Sequence, residues 1–443
     1  MYIKALTIDK FRCFEHAEVE FQYPDRAVTD NKPLPSLPNV NLLLGNNGSG
    51  KSAILKAIAL SVLSRIMPSS GFLPYMLVRR NGSALDQNSL ASIEASLMLH
   101  TQDLYPIPSD WDGEIEQDKN LAIIFRQLDT EQFVDHSWKE IENSVKGFDA
   151  SIYDAKWKGI YDDNAASFFL VGYGATRRVE LSQSFDPGAR ERSRAPRYQR
   201  VASIFEDHIG LVPINAALHE FKARGREQEC IPLLNCLLPE EVQFLQEAVD
   251  DSFFQSNHTP LPYSVLSDGY RAFIGWVVDM LYHMCQVTPE GHKLTELRGI
   301  VMVDEIDLHL HPEWQRKVVE TVAMTFPNLQ FFFSSHSPIV TGTLETANIY
   351  ITEIEETGAA TIRPGVEPVH GLSADQILWS AYFGLSTSRA PAAVDKMNEL
   401  ARKAWQGDKQ TSLEYLRLLK EGLEPAAEAV DIASPIRLYA EGA

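Results

Sequence analysis

The chain has 443 residues, which at about 150 residues per domain allows roughly three units or one large domain with insertions. Hydrophobic residues at 44% and charged residues at 23% match a soluble globular protein and exclude both a disordered polyelectrolyte and a membrane bundle. Sixty acidic against forty basic residues leave a net charge of −20, which excludes a uniformly basic surface for coating nucleic acid, so any such contact must be local. The four cysteines, Cys13, Cys230, Cys236 and Cys285, contain no C-x-x-C pair, so spacing offers neither a zinc ribbon nor a zinc hook. The start, Met1 to Leu6, leads into an alternating strand pattern without the features of a signal peptide. The longest apolar stretch, Phe273 to Met284, holds Asp279 and is too short to span a bilayer, so a cytoplasmic protein with no membrane contact is expected.

In chain order, residues 2–22 read as two strands around a turn: Ile3, Leu6 and Ile8 are apolar, then Ala17, Val19 and Phe21 alternate with Glu18 and Glu20. A polar loop from Tyr23 to Pro38 precedes the apolar run Val40 to Leu44, a short strand that ends in a glycine-rich turn. Ser52 to Met67 then reads as a helix with Ile54, Leu55, Ile58 and Val62 on one side. Strands are expected at Ala91 to Leu99, Leu121 to Phe125 and Phe168 to Gly174. The stretch 183–200 is turn-rich and dense in arginine, and 201–258 reads as helical. The last third restores α/β order: a helix from about 267 to 285, a strand at Gly299 to Val303, a helix from Pro312 to Thr325 and a strand at Gln330 to Ser334. Two edge strands near 348–353 and 359–363 follow, then amphipathic helices with Val394, Met397, Ala401 and Ala404 on one face and Leu413, Leu416, Leu419 and Leu423 on another.

Four motifs carry chemistry. Gly45-Asn46-Asn47-Gly48-Ser49-Gly50-Lys51-Ser52 fits G-x-x-x-x-G-K-[ST] between a strand and a helix. In such a loop backbone N–H groups surround phosphate oxygens, Lys51 reaches the β/γ-phosphates and Ser52 offers a hydroxyl to Mg²⁺. Gly299 to Val303 delivers two adjacent acids, Asp304 and Glu305, at the carboxyl end of an apolar strand, where a metal and an attacking water would be handled. Leu266-Ser267-Asp268-Gly269-Tyr270-Arg271 precedes a helix, with Ser267 a natural N-cap whose turn presents N–H groups to an anion. Phe331 to Pro338 is a buried strand that ends on His336.

In order and spacing the four motifs resemble the nucleotide-binding head of ABC-type ATPases. Phe11-Arg12-Cys13-Phe14, the run Asp304 to Pro312 and Ser335-His336-Ser337-Pro338 look like the RecF/OLD/SMC-like branch of AAA family ATPases, and within it like ATPases of anti-phage systems of the Septu and retron-associated kind. The resemblance implies an α/β fold: a P-loop NTPase of ABC-ATPase head type with a β-rich N-terminal lobe, a helical insertion and C-terminal helices. The corresponding segments are 1–100 with the P-loop, 101–258 as mixed and helical insertion, 259–365 with signature, acidic strand and switch histidine, and 366–443 as a C-terminal helical region.

The resemblance further implies ATP and Mg²⁺ as ligands. Arg12, Asn46, Asn47, Gly48, Ser49, Gly50, Lys51, Ser52 and Ala53 would bind nucleotide, with Ser52 and Asp304 on the metal. Glu305, His336 and Lys51 would carry catalysis, and Ser267, Asp268 and Gly269 would contact the ATP held by a second copy. Leu308 to His311 would form the D-loop across that dimer, and a separate effector, a nuclease, would be the partner. Asp268 and Tyr270 stand where the family signature has glycine and glutamine, and Gln87 and Gln127 are weak candidates for the Q-loop. His309 and His311 offer an alternative reading as a metal pair.

The cluster Arg177, Arg178, Arg190, Arg192, Arg194, Arg197 and Arg200 reads either as a solvated loop or as a local patch for nucleic acid or a phosphorylated effector. The alternative function is a RecF-like or SMC-like DNA repair or clamp ATPase, against which stand the net charge and the absence of long heptads. A fused Toprim nuclease is disfavoured because the roughly 100 residues after His336 lack a D-x-D triplet. An RNase of the HEPN type fails because Pro364 and Pro368 interrupt the one comparable spacing, Arg363 to His370.

Overall fold

Period-two alternation of apolar residues becomes antiparallel strand pairing in the N-terminal part of the chain. The computed structural model describes residues 1–27, 34–80, 88–104, 116–127, 130–133, 157–180, 185–186, 188, 194–239, 242–249, 252–256, 259–385, 391–405 and 409–421. Its strands are β1 (Tyr2–Phe11), β2 (Phe14–Glu20), β3 (Val40–Leu44), β4 (Asn88–Leu99), β5 (Glu116–Gln127), β6 (Thr130–Phe133), β7 (Leu170–Tyr173), β8 (Val242–Val249), β9 (Ser252–Ser256), β10 (Thr259–Leu261), β11 (Gly299–Val303), β12 (Leu329–Ser334), β13 (Ile349–Ile354) and β14 (Ala360–Pro364). The principal helices are α1 (Lys51–Leu63), α2 (Ile214–Ala223), α3 (Glu227–Leu237), α4 (Asp268–Val287), α5 (Pro312–Gln315), α6 (Val318–Thr325), α7 (Pro391–Trp405) and α8 (Lys409–Glu421).

Eleven strands form one mixed sheet in the order β6-β5-β4-β1-β2-β14-β13-β3-β12-β11-β7. The β6-β5-β4-β1-β2 half is antiparallel, and β13, β3, β12, β11 and β7 run parallel. Strands β3, β11 and β12 are short and buried along their length, as expected for strands covered on both faces. Alternate residues feed two cores. Leu43, Ile300, Met302 and Phe332 pack on the side of α1, whereas Leu42, Leu44, Val301, Val303, Phe331 and Phe333 pack on the side of α4. Helix α1 is buried almost all round, more than the one-sided stripe expected from sequence, because it lies under the antiparallel half as well as the parallel one.

Two amides inside apolar strands join the halves. Asn41 Nδ2 donates to Gln22 O at 2.9 Å and Phe331 O at 3.2 Å, and its Oδ1 accepts from Gln22 N at 2.8 Å. Gln330 Nε2 donates to Ile3 O at 2.8 Å and Gln22 O at 2.7 Å, and its Oε1 accepts from Ile3 N at 2.8 Å. Buried backbone groups of the N-terminal hairpin thus find partners on the parallel strands, which fixes where the first lobe sits on the second.

Three sequence expectations are corrected. Residues 201–258 are not all helical: after α3, β8, β9 and β10 form a separate three-stranded antiparallel sheet, in which Phe244 and Phe254 pack edge to face. The strands near 348–353 and 359–363 are not edges. They are β13 and β14, the seam between the antiparallel and parallel halves, where β14 meets β2 at Ala360 and Phe14. The helix from Pro312 to Thr325 is two helices, α5 and α6, joined by a tighter turn in which Lys317 N donates to Trp314 O at 3.0 Å.

The region up to Phe383 and the segment Gly384–Ala443 are separate compact units. In the second, α7 and α8 pack together with Leu400 and Thr411 buried, while Trp405, Leu413 and Leu416 are exposed. Val394, Met397, Ala401 and Ala404 share the partly buried face of α7. The side chain of Leu419, and Leu423, lie outside the described residues. No helix among those described is long and apolar enough to cross a membrane.

Replacing Gln330 by leucine keeps the volume but takes this amide from the buried N–H and carbonyl of Ile3 and leaves Gln22 O with Asn41 Nδ2 as its remaining side-chain donor. The expected loss is about 2–4 kcal/mol in chemical denaturation; a loss below about 0.5 kcal/mol would show that this amide does not hold the lobes together.

Candidate functional site

The candidate site forms where three parallel strands end. Strand β3 runs into the loop Gly45 to Gly50, β11 into Asp304 and Glu305, and β12 into Ser335 and His336, so loop, acids and histidine meet outside their carboxyl ends. The loop presses on its neighbours: a Cβ at Gly45 would lie 2.2 Å from Thr352 O, whereas one at Gly48, with φ +80°, would meet nothing. A cleft of about 520 Å³ opens over the loop, of a size suited to a small ligand. Arg12, Asn47, Gly48, Gly50, Lys51, Ser52, Ala53, Asp304, Glu305 and His336 of the sequence-selected residues line it.

A chain of hydrogen bonds ties the strand ends together. Ser52 Oγ donates to Asp304 Oδ2 at 2.6 Å, Ser334 Oγ donates to Asp304 Oδ1, and Glu305 N donates to Ser334 Oγ at 2.7 Å. Glu305 has φ +52°, a left-handed conformation disfavoured for a residue with a side chain. Lys51 Nζ folds back on its own loop, donating to Gly45 O at 2.8 Å and Asn46 O at 3.2 Å. Burial, opposed by Asp304, Glu305 and Asp307, holds the lysine below its usual pKa.

Two residues of the motif face elsewhere. Ser49 is buried, with its Oγ 2.6 Å from Thr352 Oγ1, and it anchors the loop to β13 rather than lining the cleft. Asn46 also does not line the cleft, and its carbonyl accepts from Ser49 N and Lys51 Nζ. Sequence reasoning missed Cys13, Met76, Val78 and Arg80, which complete the wall. An isolated bridge from Phe11 to Val78, with Arg12 N donating to Leu77 O at 2.7 Å, brings residues 76–80 beside the end of β1. That pairing is long-range and leaves no motif in the sequence.

Ser267, Asp268 and Gly269 are not in this cleft. Ser267 caps α4 through its side chain, which accepts from Tyr270 N at 3.4 Å, and Ser267 and Asp268 are exposed. Gly269 is buried against the D-loop, where a Cβ would lie 2.2 Å from His309 O. Asp268, Arg271 and His309 line a second cavity of about 710 Å³ with Thr176, Arg177 and Arg178. Gln315 joins D-loop to histidine loop: its Nε2 donates to Leu310 O at 2.9 Å, and Ser337 Oγ donates to its Oε1 at 2.7 Å. The metal-pair reading of His309 and His311 gains no third ligand. His311 Nδ1 accepts from Glu313 N at 3.4 Å, and no group of three His, Cys, Asp or Glu positioned for a metal occurs among the described residues. Gln127 ends strand β5 and does not line the cleft, and Gln87 lies outside the described residues.

The reading of the arginine cluster as a surface patch is corrected. Arg197 is buried and donates to Ser167 O at 2.8 Å, Gly159 O at 2.7 Å and Asp162 O at 2.6 Å, while Arg200 is buried and donates to Asp163 O at 2.8 Å. Arg177 is buried and donates to Glu305 O at 2.8 Å. These three satisfy backbone carbonyls inside the protein and cannot track phosphates on a surface. Arg194 pairs with Glu206 at 2.7 Å, only Arg178 is exposed, and Arg190 and Arg192 lie outside the described residues.

The family model described as "AAA domain, putative AbiEii toxin, Type IV TA system" matches residues 40–341, which hold the loop, signature, acidic strand and histidine. The chain belongs to that family. A second model, described as "AAA domain", matches residues 5–72. The Retron Vc95 probable ATPase of Vibrio cholerae is 25% identical over 374 residues, 71% of this chain and 68% of that protein. The Septu protein PtuA of Bacillus mycoides is 24% identical over 56% of this chain and 36% of its own length. The Retron Ec83 probable ATPase of Escherichia coli is 35% identical over 107 residues, 24% of this chain and 20% of its own. The match thus spans well under two thirds of the latter two relatives. Among solved structures, the SMC head bound to the C-winged helix domain of ScpA is similar over 82% of this chain and 98% of that one, at 15% identity and a TM-score of 0.44.

Burial first, and the Lys51 cation second, hold the His336 imidazole below its ordinary pKa of 6.5, against the pull of Asp307, Glu305 and Asp304. The ring is therefore neutral at pH 7 and protonates only as the pH falls below 6.5. An NMR titration should place its midpoint below 6.5, and Lys51→Met should move it upward; a midpoint above 6.5 in the parent would contradict this arrangement of charges.

Proposed function

We propose that this AAA-family protein is an ATP hydrolase that uses ATP as a conformational switch and regulates a separate effector in anti-phage defence. The observation that carries the reading is the convergence of Lys51, Ser52, Asp304, Glu305 and His336 on one cleft at the ends of β3, β11 and β12. The Ser52 hydroxyl and the Asp304 carboxylate, 2.6 Å apart, are the hard oxygen donors that suit Mg²⁺, so these two residues would hold it. Mg²⁺ bound there would neutralise charge on the β- and γ-phosphate oxygens.

The remaining steps belong to the chain's own groups. The loop from Asn47 to Gly50 opens its backbone N–H groups to phosphate, and Lys51 exchanges the carbonyls of Gly45 and Asn46 for the β/γ-phosphates. Glu305 orients the attacking water and accepts its proton, held by the left-handed turn after Asp304. His336, neutral at pH 7, donates a hydrogen bond to the γ-phosphate. Arg12 lies on the wall of the same cleft and contacts the nucleotide.

Ser267, Asp268 and Gly269 stand outside the cleft at the start of α4, the first two exposed, which supports their use by a second copy in a head-to-tail dimer. Hydrolysis would remove the shared phosphate contacts and loosen that dimer. The similarity to retron and Septu proteins supports a defence role; in this reading the protein acts in the cytoplasm and the toxic chemistry, a nuclease, sits on another chain. Exposed Trp405, Leu413 and Leu416 of the C-terminal helices, within the segment 366–443, support that segment as its docking surface. Burial of Arg177, Arg197 and Arg200 takes away the local basic patch that would offset the acidic net charge in the DNA-clamp alternative.

Lys51→Ala should weaken ATP binding at least about 100-fold, whereas Glu305→Gln should bind like the parent, hydrolyse at least about 100-fold more slowly and sediment as a dimer with ATP. Parent-like hydrolysis by Glu305→Gln would show that Glu305 does not orient the attacking water.

A further inference from the structure

Arg177 has no place in the four motifs, yet it touches the peptide on which Glu305 depends. The backbone of Glu305 sits at φ +52°, a conformation of the kind that persists only where the surroundings over-determine it. Its N–H donates to Ser334 Oγ at 2.7 Å, and its carbonyl accepts from Leu308 N at 3.0 Å and from Arg177 Nη2 at 2.8 Å. Of these three partners only Arg177 also lines the second cavity, beside Asp268, Arg271 and His309.

The guanidinium is held at a cost. Arg177 is 4% exposed and has φ +29°, and its Nε and Nη1 have no hydrogen-bond partner among the described residues. Asp307 Oδ1, on the turn between Glu305 and the D-loop, is buried and likewise lacks one. Asp304, Glu305 and Asp307 all act on Arg177 electrostatically, so the cation is retained by the acids of the site rather than by a full set of hydrogen bonds. Removing one member of such a buried charge group leaves its partners uncompensated, so rate and stability must be read separately in any test of this residue.

We propose that Arg177 is a positioning residue for hydrolysis, which fixes the left-handed peptide of Glu305 and thereby aims its carboxylate at the water. The inference rests on the reading of Glu305 as the group that orients that water. It also separates Arg177 from the arginines farther along: Arg197 and Arg200 bond carbonyls of the segment 159–168, remote in sequence from the acids, whereas Arg177 bonds the acidic turn itself.

The test compares Arg177→Met, Arg177→Lys, Glu305→Gln and the double variant Arg177→Met/Glu305→Gln for ATP hydrolysis, equilibrium binding of a fluorescent ATP analogue, and thermal unfolding. At a temperature where it remains folded, Arg177→Met should bind the analogue within about threefold of the parent and lose at least about tenfold in kcat. Arg177→Lys, which keeps a buried charge without the guanidinium fork, should lose kcat similarly and guards against a folding defect in the first variant. In the Glu305→Gln background the arginine substitution should leave the residual rate within about twofold, because its effect runs through the absent carboxylate. Parent-like kcat in both arginine variants, an equal loss in both backgrounds, or a loss accounted for by the fraction unfolded at the assay temperature would each overturn the proposal. If Glu305→Gln itself hydrolyses like the parent, the reading of Glu305 fails; if it is slow while both arginine variants are fast, only the role of Arg177 fails.

Discussion

The hydrogen bond between Ser52 and Asp304, 2.6 Å long, is possible only because β3 and β11 end at the same level on either side of β12. The parallel registers of Phe331 with Val40 and Ile300 with Gln330 set that level, and Ser334 completes it by bridging Asp304 to the N–H of Glu305. A slip of one residue in β12 would send its side chains to the opposite faces and separate the hydroxyl from the acids. The buried amides of Asn41 and Gln330, the packing of α1 and α4 on opposite faces, and the anchoring of Ser49 on Thr352 all serve this one alignment.

The nucleotide-facing part of the site was legible in the sequence because its chemistry is local. A glycine-rich turn, a lysine and a hydroxyl in eight consecutive residues, and two acids after an apolar strand, state their purpose without tertiary information. The strands that carry them were legible for the same reason, as apolar runs with sharp ends. The seam was not: β13 and β14 read as edges because their alternation says nothing of their neighbours, and only the fold shows β14 meeting β2.

Arginine was misread for a related reason. Arg177, Arg197 and Arg200 belong to a cluster whose charge suggests solvent, yet each reaches inward to backbone carbonyls of turns and irregular segments. Met76, Val78 and Arg80 joined the cleft through a single bridge to β1. In both cases the deciding interaction links segments far apart in the chain, where periodicity and motif spacing carry no signal.

The separation of two half-sites is the feature on which the proposed mechanism turns. Lys51 and the acids line one cleft, while Ser267 and Asp268 are exposed at the start of α4, with Gly269 buried against His309 O. The most direct test is complementation: Lys51→Ala and Ser267→Arg, each inactive alone, are mixed in equal amounts and assayed for ATP hydrolysis. A head-to-tail pair leaves one intact composite site in each mixed dimer, so the mixture should regain about a quarter of the parental rate. A mixture no more active than its two components would contradict completion of the site by a second copy.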